Sequence, residues 1–308
     1  MSDAKIRSSP FASRSSINKR MDEHTVTRGW ADALRASLMY ANVPVGLIAV
    51  AFVLGTYALL GLPPSLPLLV LAFCGTFLVY QGERALFEAP EDAFNQPQRQ
   101  GWVRRHRGFV RGASGVAAVA ALAMLPLLRP VTLAVSVGLA GVSLLYVAPL
   151  LPGRRRLKTI WYVKPLAFSG AWAMGGVVLP VLEADAPLHA GVWLLVVYRF
   201  LFVWPNVLLA DWADREGDAR AGLRTVATEW SSRRLHGLAA LAPALAVAGA
   251  LGAILWYDSP RLLYLDAIGP ALMLAAVGLR PGSHARFFYS FIIDALVAWP
   301  LLTWLAAP

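Results

Sequence analysis

The sequence predicts an all-α integral membrane protein with nine transmembrane helices. Of its 308 residues, 57% are hydrophobic and only 15% are charged, and so few polar groups could not cover the surface of a soluble domain. The apolar residues also occur in blocks of roughly 18–25 residues, the length that crosses a hydrocarbon core. Backbone amides in lipid must be satisfied within their own segment, so these blocks are predicted to be helices.

Nine segments follow this pattern. They cover residues 33–60, 66–88, 109–128, 131–150, 159–182, 188–213, 235–256, 260–279 and 285–306. Ahead of them, residues 1–27 are polar, rich in Ser, Arg and Lys, and lack the apolar core of a signal peptide. They are predicted to form a disordered cytoplasmic tail. The remaining residues, 28–308, are predicted to form the nine-helix transmembrane domain.

The loops between these segments differ in charge. Nearly all Lys and Arg residues lie in the tail and in the loops after the second, fourth, sixth and eighth helices, whereas the opposite loops contain only Arg129 and Arg261. Basic loops stay in the cytoplasm, so the N-terminus and these loops are predicted to be cytoplasmic, in the inner membrane if the cell is bacterial. The net charge of +10 therefore reflects topology, and membrane lipids rather than nucleic acid are the expected partners.

Carboxylates at helical spacing follow the sixth predicted helix. Asp214 and Asp218 are four residues apart, so a continued helix would place both on one face. Asp211 precedes them by three residues, and Asn206 lies about one turn deeper. Two or three carboxylates with an amide oxygen suit Mg²⁺, which bridges phosphates. The alternative is a solvated helix end, although Asp211 and Asn206 reach into an apolar segment, where polar groups are usually functional.

A second acidic segment follows the second predicted helix. Glu88 and Asp92 are again four residues apart, with Pro90 between them to end or kink the helix. Glu83-Arg84, at the membrane edge, is interpreted either as a local ion pair or as part of the same polar cluster.

Charged residues also lie inside predicted helices. Lys164 lies within the fifth helix, where a lysine needs an anionic partner or must extend to the interface. Arg199 could pair with Asp294, and Asp266 lies within the eighth helix. Transporters use such charges near the membrane midplane, so transport or lipid binding is an alternative interpretation to catalysis.

Taken together, residues 30–306 resemble the UbiA superfamily of intramembrane prenyltransferases. The stretch DWADREGDARAGLRT is similar to the family's Asp-xxx-Asp segment followed by Gly and Thr, which fall on Asp214, Asp218, Gly222 and Thr225. The stretch LLYVAPLLPGRRRLK is similar to the family's Tyr-xx-Pro and basic segment after the fourth helix, which places Tyr146, Pro149 and Lys158.

The first acidic motif of that family is matched in part. The matching positions are Asp92, Asn95, Pro97 and Arg99. Glu88 stands where the family has an aspartate, and the family's Asn-Asp pair falls on Arg84-Ala85.

The resemblance implies a UbiA-type bundle that uses Mg²⁺ to move an isoprenyl group from a prenyl diphosphate to a lipophilic or aromatic acceptor. It implies catalytic roles for Asp214, Asp218, Lys158 and Tyr146, diphosphate binding by Asn206, Arg99, Arg224 and Lys164, and metal binding by Asp211, Asp214, Asp218, Asp92 and Glu88. A terpene cyclase of the same superfamily, which ionises the same diphosphate, is one alternative. A non-catalytic lipid-binding or transport protein of the same fold is another.

Overall fold

The helices are described here from a computed structural model, which covers residues 40–82, 91–153, 156–254, 261–280, 282, 285 and 288–308. The chain divides into residues 1–41 and a second, compact unit of residues 42–308, in which all the helices named below lie. The predicted tail, residues 1–27, and the predicted metal ligand Glu88 lie outside the described residues.

Fourteen α-helices are described in this second unit. They are α1 (Val43–Leu60), α2 (Leu66–Gln81), α3 (Asp92–Asn95), α4 (Pro97–Arg105), α5 (Arg107–Met124), α6 (Pro130–Val147), α7 (Val163–Ala173), α8 (Leu179–Glu183), α9 (Ala190–Arg220), α10 (Val226–Glu229), α11 (Ser232–Ile254), α12 (Arg261–Leu279), α13 (Ile293–Val297) and α14 (Pro300–Leu305). Short 3-10 turns lie at Leu125–Leu127 and Leu157–Thr159, and π-helical turns at Met174–Val178 and Phe288–Ile292.

Seven helical segments in the described part of the chain are long and apolar enough to cross a membrane. They are α1, α5 with the turn after it, α6, α7 through α8, α9, α11 and α12. Two shorter apolar segments, α2 and residues 293–305, correspond to the other two predicted spans. The prediction of an all-α integral membrane protein is confirmed, and the exact number of nine crossings stays a prediction.

The starts and ends of the first helices follow local sequence rules. Proline occupies the first turn of α1, α2, α4 and α6, where its missing N–H would have had no helical partner. The hydroxyl of Ser65 accepts a hydrogen bond from the backbone N–H of Leu68 at the start of α2. Gly61 ends α1 with a φ of 61°, a left-handed conformation that glycine adopts without strain.

The polar segments after the second and sixth predicted helices are more helical than the sequence predicted. The sixth helix was expected to end at residue 213, but α9 continues to Arg220, because its polar last turns pack against α3 and α10. The predicted loop from residue 89 to 107 likewise contains α3 and α4. Propensity and hydropathy alone miss such extensions, since the partners that satisfy the polar side chains come from distant segments.

The long helix α9 lies at the centre of the packing. It packs against α7, α11, α12 and α13. The core around it contains fully buried side chains from five helices, namely Phe52, Phe202, Leu235, Met273 and Ile293. This arrangement fixes the rotation of α9, and so determines which of its polar residues face neighbouring helices.

A buried ion pair ties α9 to α12 and α14. The Nη1 and Nη2 atoms of Arg199 donate to the two carboxylate oxygens of Asp266, both at 2.9 Å, and neither side chain is exposed. The hydroxyls of Tyr198 and Thr303 donate to the same carboxylate at 2.8 and 2.9 Å. Because the Asp266 carboxylate accepts hydrogen bonds from three side chains on two other helices, this cluster holds three helices together within the membrane-spanning region.

Candidate functional site

Three aspartates lie on the last turns of α9. Asp211 and Asp218 are buried, with 1% and 3% of their surface exposed, and Asp214 between them is half-buried. Asp218 interacts electrostatically with both of the others. Since α9 is helical throughout these positions, the prediction that Asp214 and Asp218 share one helix face is confirmed. Like charges at this spacing repel one another and favour a cation between them.

The first motif is joined to the second by Asn95, at the end of α3. Its Nδ2 donates a 2.8 Å hydrogen bond to Oδ1 of Asp218, across 123 residues of sequence. Both side chains are buried, with Asn95 only 3% exposed. The sequence motif pointed to Asn95, but nothing in the sequence identified Asp218 as its partner.

Gly217 makes this contact sterically feasible. A Cβ atom at residue 217 would lie 1.8 Å from Oδ1 of Asn95 and 3.1 Å from Cβ of Phe94. The backbone of α9 and the end of α3 therefore approach more closely than any other side chain at residue 217 would allow. The glycine is required by packing, and this explains its presence inside a helix, where glycine is unfavourable.

Lys164, in the first turn of α7, supplies a cation to this cluster. Its Nζ forms an ion pair with Oδ1 of Asp211, and it also interacts electrostatically with Asp218 and Tyr146. Lys164 is 22% exposed at the side chain, whereas Asp211 is 2% exposed. The structure thus brings together four predicted site residues, from α6, α7 and α9.

Lys158 belongs to a second ion pair. Its Nζ lies 3.0 Å from Oε1 of Glu91, and the two side chains are 8% and 13% exposed. Lys158 lies in the 3-10 turn before α7, and Glu91 immediately precedes α3. The pair joins the basic segment after α6 to the first acidic motif. Sequence reasoning did not identify Glu91, although its position three residues after Glu88 and next to Asp92 is a signal that could have found it.

Two predicted diphosphate-binding arginines have different environments. Arg99, on α4, is buried, with 8% of its surface exposed. Arg224 is exposed and makes a bidentate pair with Glu229, its Nε and Nη2 lying 2.7 and 2.9 Å from the two carboxylate oxygens. These hydrogen bonds raise the pKa of Arg224 and lower the pKa of Glu229. The structure therefore gives Arg224 a local partner beyond the end of α9.

Asn206 lies deeper along α9 than the aspartates. Its Nδ2 donates a 2.7 Å hydrogen bond to Oδ1 of Asp294 on α13. Asp294, which the sequence suggested as a partner for Arg199, thus contacts the amide that was predicted to bind diphosphate. Asn206 precedes Asp211 by five residues, so the two side chains point in directions that differ by about half a turn around the helix axis. The role of Asn206 in binding diphosphate stays a prediction.

The metal ligands predicted in the first motif are only partly placed by the structure. Asp92 begins α3, and Glu88 lies outside the described residues. Within the part of the chain that is described, no three His, Cys, Asp or Glu side chains are grouped closely enough to enclose a metal ion. A Mg²⁺ ion bound beside these carboxylates would complete its coordination with water or substrate oxygens.

The charges of the cluster determine what it can bind. The cluster contains three carboxyl groups, Asp211, Asp214 and Asp218, and one amino group, Lys164, so acidic groups outnumber basic ones. Such a group attracts a divalent cation, and the cation would then attract an anionic ligand. Lys158 and Arg99 add basic groups on the neighbouring segments. The site is suited to a cation and a phosphate-bearing molecule together.

Comparison with solved structures identifies proteins of the same architecture. A digeranylgeranylglyceryl phosphate synthase is 17% identical and matches with a TM-score of 0.57 over 90% of this chain and 98% of its own. A UbiA homologue from Archaeoglobus fulgidus, bound to GPP and Mg²⁺, is 15% identical with a TM-score of 0.59 over 87% and 100%.

An apo UbiA homologue from Aeropyrum pernix K1 is also 15% identical, with a TM-score of 0.60 over 86% of this chain and 97% of its own. No protein-family model and no curated protein sequence matches the chain. The similarity extends over nearly the whole length of each structure, so the resemblance inferred from the acidic motifs is confirmed at the level of architecture. The chain has the fold of the UbiA-type membrane prenyltransferases.

Proposed function

We propose that this protein is a Mg²⁺-dependent intramembrane prenyltransferase, which moves an isoprenyl group from a prenyl diphosphate to a lipophilic or aromatic acceptor. The hydrogen bond between Asn95 and Asp218 carries the proposal. It brings two polar motifs, 123 residues apart, onto one end of an apolar helix bundle. A polar cluster among membrane helices is energetically costly unless it binds something polar, and a UbiA homologue of the same fold is bound to GPP and Mg²⁺.

The residues present fit Mg²⁺. Asp214 and Asp218 are carboxylates four residues apart on α9, and Asp214 is half-buried, so a hydrated ion can reach its carboxylate beside the buried Asp218. Mg²⁺ keeps several waters and is commonly held by one or two carboxylates together with substrate phosphates. The ion, when bound, would neutralise the diphosphate and stabilise the charge that develops as it leaves.

The chain's own residues bind and orient the diphosphate in this proposal. Lys164 and Lys158 are ammonium groups on either end of the segment that leads into α7, and in this proposal their charges stabilise the diphosphate as it becomes more negative. The allylic C–O bond breaks, and its electron pair goes to the diphosphate. The acceptor carbon then forms a bond to the allylic carbocation and afterwards loses a proton.

The apolar helices are proposed to accommodate the isoprenyl chain, with the diphosphate at the polar end of α9. This end is formed by the segments after α2 and α6 and by the last turns of α9, which were predicted to be cytoplasmic. A cytoplasmic diphosphate site suits a donor that is made in water and an acceptor that lies in the membrane. Donor length and acceptor structure define the specificity of the reaction and are the variables of the assay.

The test is diphosphate release from geranyl, farnesyl and geranylgeranyl diphosphates by the detergent-solubilised protein with Mg²⁺. We expect release by the wild type and at least a hundredfold loss in Asp218→Asn, which removes one charge from the cluster. Asp185→Asn is the matched control, because Asp185 is exposed and pairs with Arg129 on a different segment of the bundle. This control should retain wild-type activity.

Products formed with and without a lipophilic aromatic acceptor separate the two enzyme functions. A prenylated acceptor supports transfer, whereas a cyclic hydrocarbon formed without an acceptor would show that the protein is a terpene cyclase. If no diphosphate of any length is consumed, or if Asp218→Asn is as active as the wild type, the proposal is wrong and the fold serves binding or transport.

A further inference from the structure

The junction between α4 and α5 carries a patch of exposed positive charge. Its members are Arg104, Arg105, Arg107 and Arg111, all of them exposed, and we call these four residues the arginine patch. Residues 93–182 include no Asp or Glu, so neighbours along the chain do not neutralise these charges. Because α3, which comes just before α4, docks on the polar end of α9, the arginine patch lies toward that end of the bundle.

The helix α5 packs against the bundle through one side. Val110 and Ala117, which are 1% and 7% exposed, lie about two turns apart on the side that packs against α2. On a different side, Arg111, Gly115 and Val119 follow one another at intervals of four residues, and all three are exposed. They form a row along the helix. Of the membrane window formed by α5 and the turn after it, 11% is buried, against 56% for α1, so this row is open to lipid.

The row is cationic at one end and apolar along the rest of its length. A Cβ atom at Gly112 or Gly115 would meet no atom of the described residues within 4 Å, so the surface next to Arg111 is shallow and open. Val119 and Leu122 continue it, 69% and 64% exposed. At 1.5 Å per residue, Arg111 and Leu122 are roughly 16 Å apart along the helix axis, which is about half of a hydrocarbon core of about 30 Å. A phospholipid has the same profile, a charged headgroup followed by acyl chains one leaflet long.

We propose that the arginine patch and the open row of α5 bind an anionic phospholipid. The headgroup phosphate lies on the arginines, and one acyl chain lies along Gly115, Val119 and Leu122. Guanidinium groups form paired hydrogen bonds with phosphate oxygens, and a cluster of basic side chains beside a membrane helix favours lipids of net negative charge. Basic residues at helix ends also set topology, but topology does not require that they continue into an exposed row of glycines. This lipid site does not depend on the proposed prenyltransferase activity.

Native mass spectrometry of the detergent-solubilised protein tests the site, because it counts the lipids that bind during a titration. Phosphatidylglycerol is the anionic probe, and phosphatidylcholine with the same acyl chains is the zwitterionic reference. We expect the wild type to bind phosphatidylglycerol about tenfold or more tightly than phosphatidylcholine, and Arg104→Gln/Arg111→Gln to reduce this preference to about threefold or less. Arg233→Gln/Arg234→Gln is the matched control, since it removes two exposed arginines from the start of α11, and it should keep the wild-type preference.

The variant Gly115→Leu tests where the acyl chain lies without changing any charge. Its new side chain would occupy the open row, so it should weaken phosphatidylglycerol binding by about threefold to tenfold. Gly252→Leu is the control for this variant, because Gly252 is exposed on α11 and a Cβ there also meets no atom within 4 Å. It should bind phosphatidylglycerol as the wild type does.

Four results would overturn the proposal. One is a wild type without a preference for phosphatidylglycerol, and another is an undiminished preference in Arg104→Gln/Arg111→Gln. Competition by glycerol phosphate at the concentration of the lipid would mean that the patch binds soluble phosphate esters instead. A wild-type dimer that dissociates in Gly115→Leu would mean that the row is an interface between two copies. If the arginine variant does not fold, Gly115→Leu and Gly252→Leu decide, and equal phosphatidylglycerol affinities in these two would refute the site.

Discussion

The contact between Gly217 and Asn95 provides a direct test of how the two motifs are joined. In Gly217→Ala the new Cβ would lie 1.8 Å from Oδ1 of Asn95, whereas ordinary contacts begin near 3.4 Å. Asn95 would have to retreat by about 1.6 Å. Its side chain is short, buried and hydrogen-bonded to Asp218 at 2.8 Å, so that movement would break the hydrogen bond.

The size of the effect follows from the charge on the acceptor. A hydrogen bond to a charged group contributes about 1.5–3 kcal/mol, which is a factor of roughly 10 to 100 in a rate or an equilibrium constant. Alanine is favoured over glycine in a helix by up to about 1 kcal/mol, and this gain partly offsets the loss. Gly252→Ala in α11 is the matched control, because a Cβ at residue 252 would meet no atom within 4 Å.

The gain in helix propensity from glycine to alanine is common to both variants, so the difference between their stabilities isolates the contact with Asn95. Thermal unfolding in detergent, followed by tryptophan fluorescence, should show Gly217→Ala about 1.5–3 kcal/mol less stable than Gly252→Ala. Diphosphate release by Gly217→Ala should fall by about 10-fold to 100-fold. In Gly217→Ala/Asn95→Ala the clash with the Asn95 amide is removed and the 3.1 Å approach to Cβ of Phe94 remains, so the double variant should lose little stability beyond Asn95→Ala alone.

Equal stability and activity in Gly217→Ala and Gly252→Ala would refute this reasoning. Purely additive effects of Gly217→Ala and Asn95→Ala would do the same, since residues that clash must be coupled. Either result would mean that α3 does not dock on α9 as the structure shows.

Two further predictions concern ion pairs elsewhere in the bundle. Arg199→Met leaves the buried Asp266 without its cationic partner, so it should cost about 3–5 kcal/mol of stability and lower the thermal unfolding temperature. Arg199→Met/Asp266→Leu should recover most of that loss. A double variant as unstable as the single one would show that the charges themselves are not the cause. Glu91→Gln removes the negative charge that lies 3.0 Å from the Lys158 ammonium group, so affinity for prenyl diphosphate in a direct binding titration should rise by about threefold to tenfold, whereas Lys158→Met should reduce it. A fall in both variants would mean that the ion pair itself holds the site together.

The sequence by itself determined the helices and the spacing of the acidic residues along them. Long apolar blocks must be helical in a membrane, because lipid offers no hydrogen bonds to the backbone. Asp214 and Asp218 share a face because residues four apart always do so on an α-helix. The resemblance of the polar segments to a known family supplied the architecture, since the positions of those segments between helices are properties of the linear sequence.

Only the tertiary structure decided which polar residues meet. Asn95 pairs with Asp218 and Lys164 with Asp211, because the docking of α3 and α7 against α9 fixes how each helix is rotated. Hydropathy contains no information on that rotation. It also places the end of α9 near residue 213, because the polar residues begin there. Those residues remain helical because side chains from distant segments satisfy them, and such partners exist only in the folded chain.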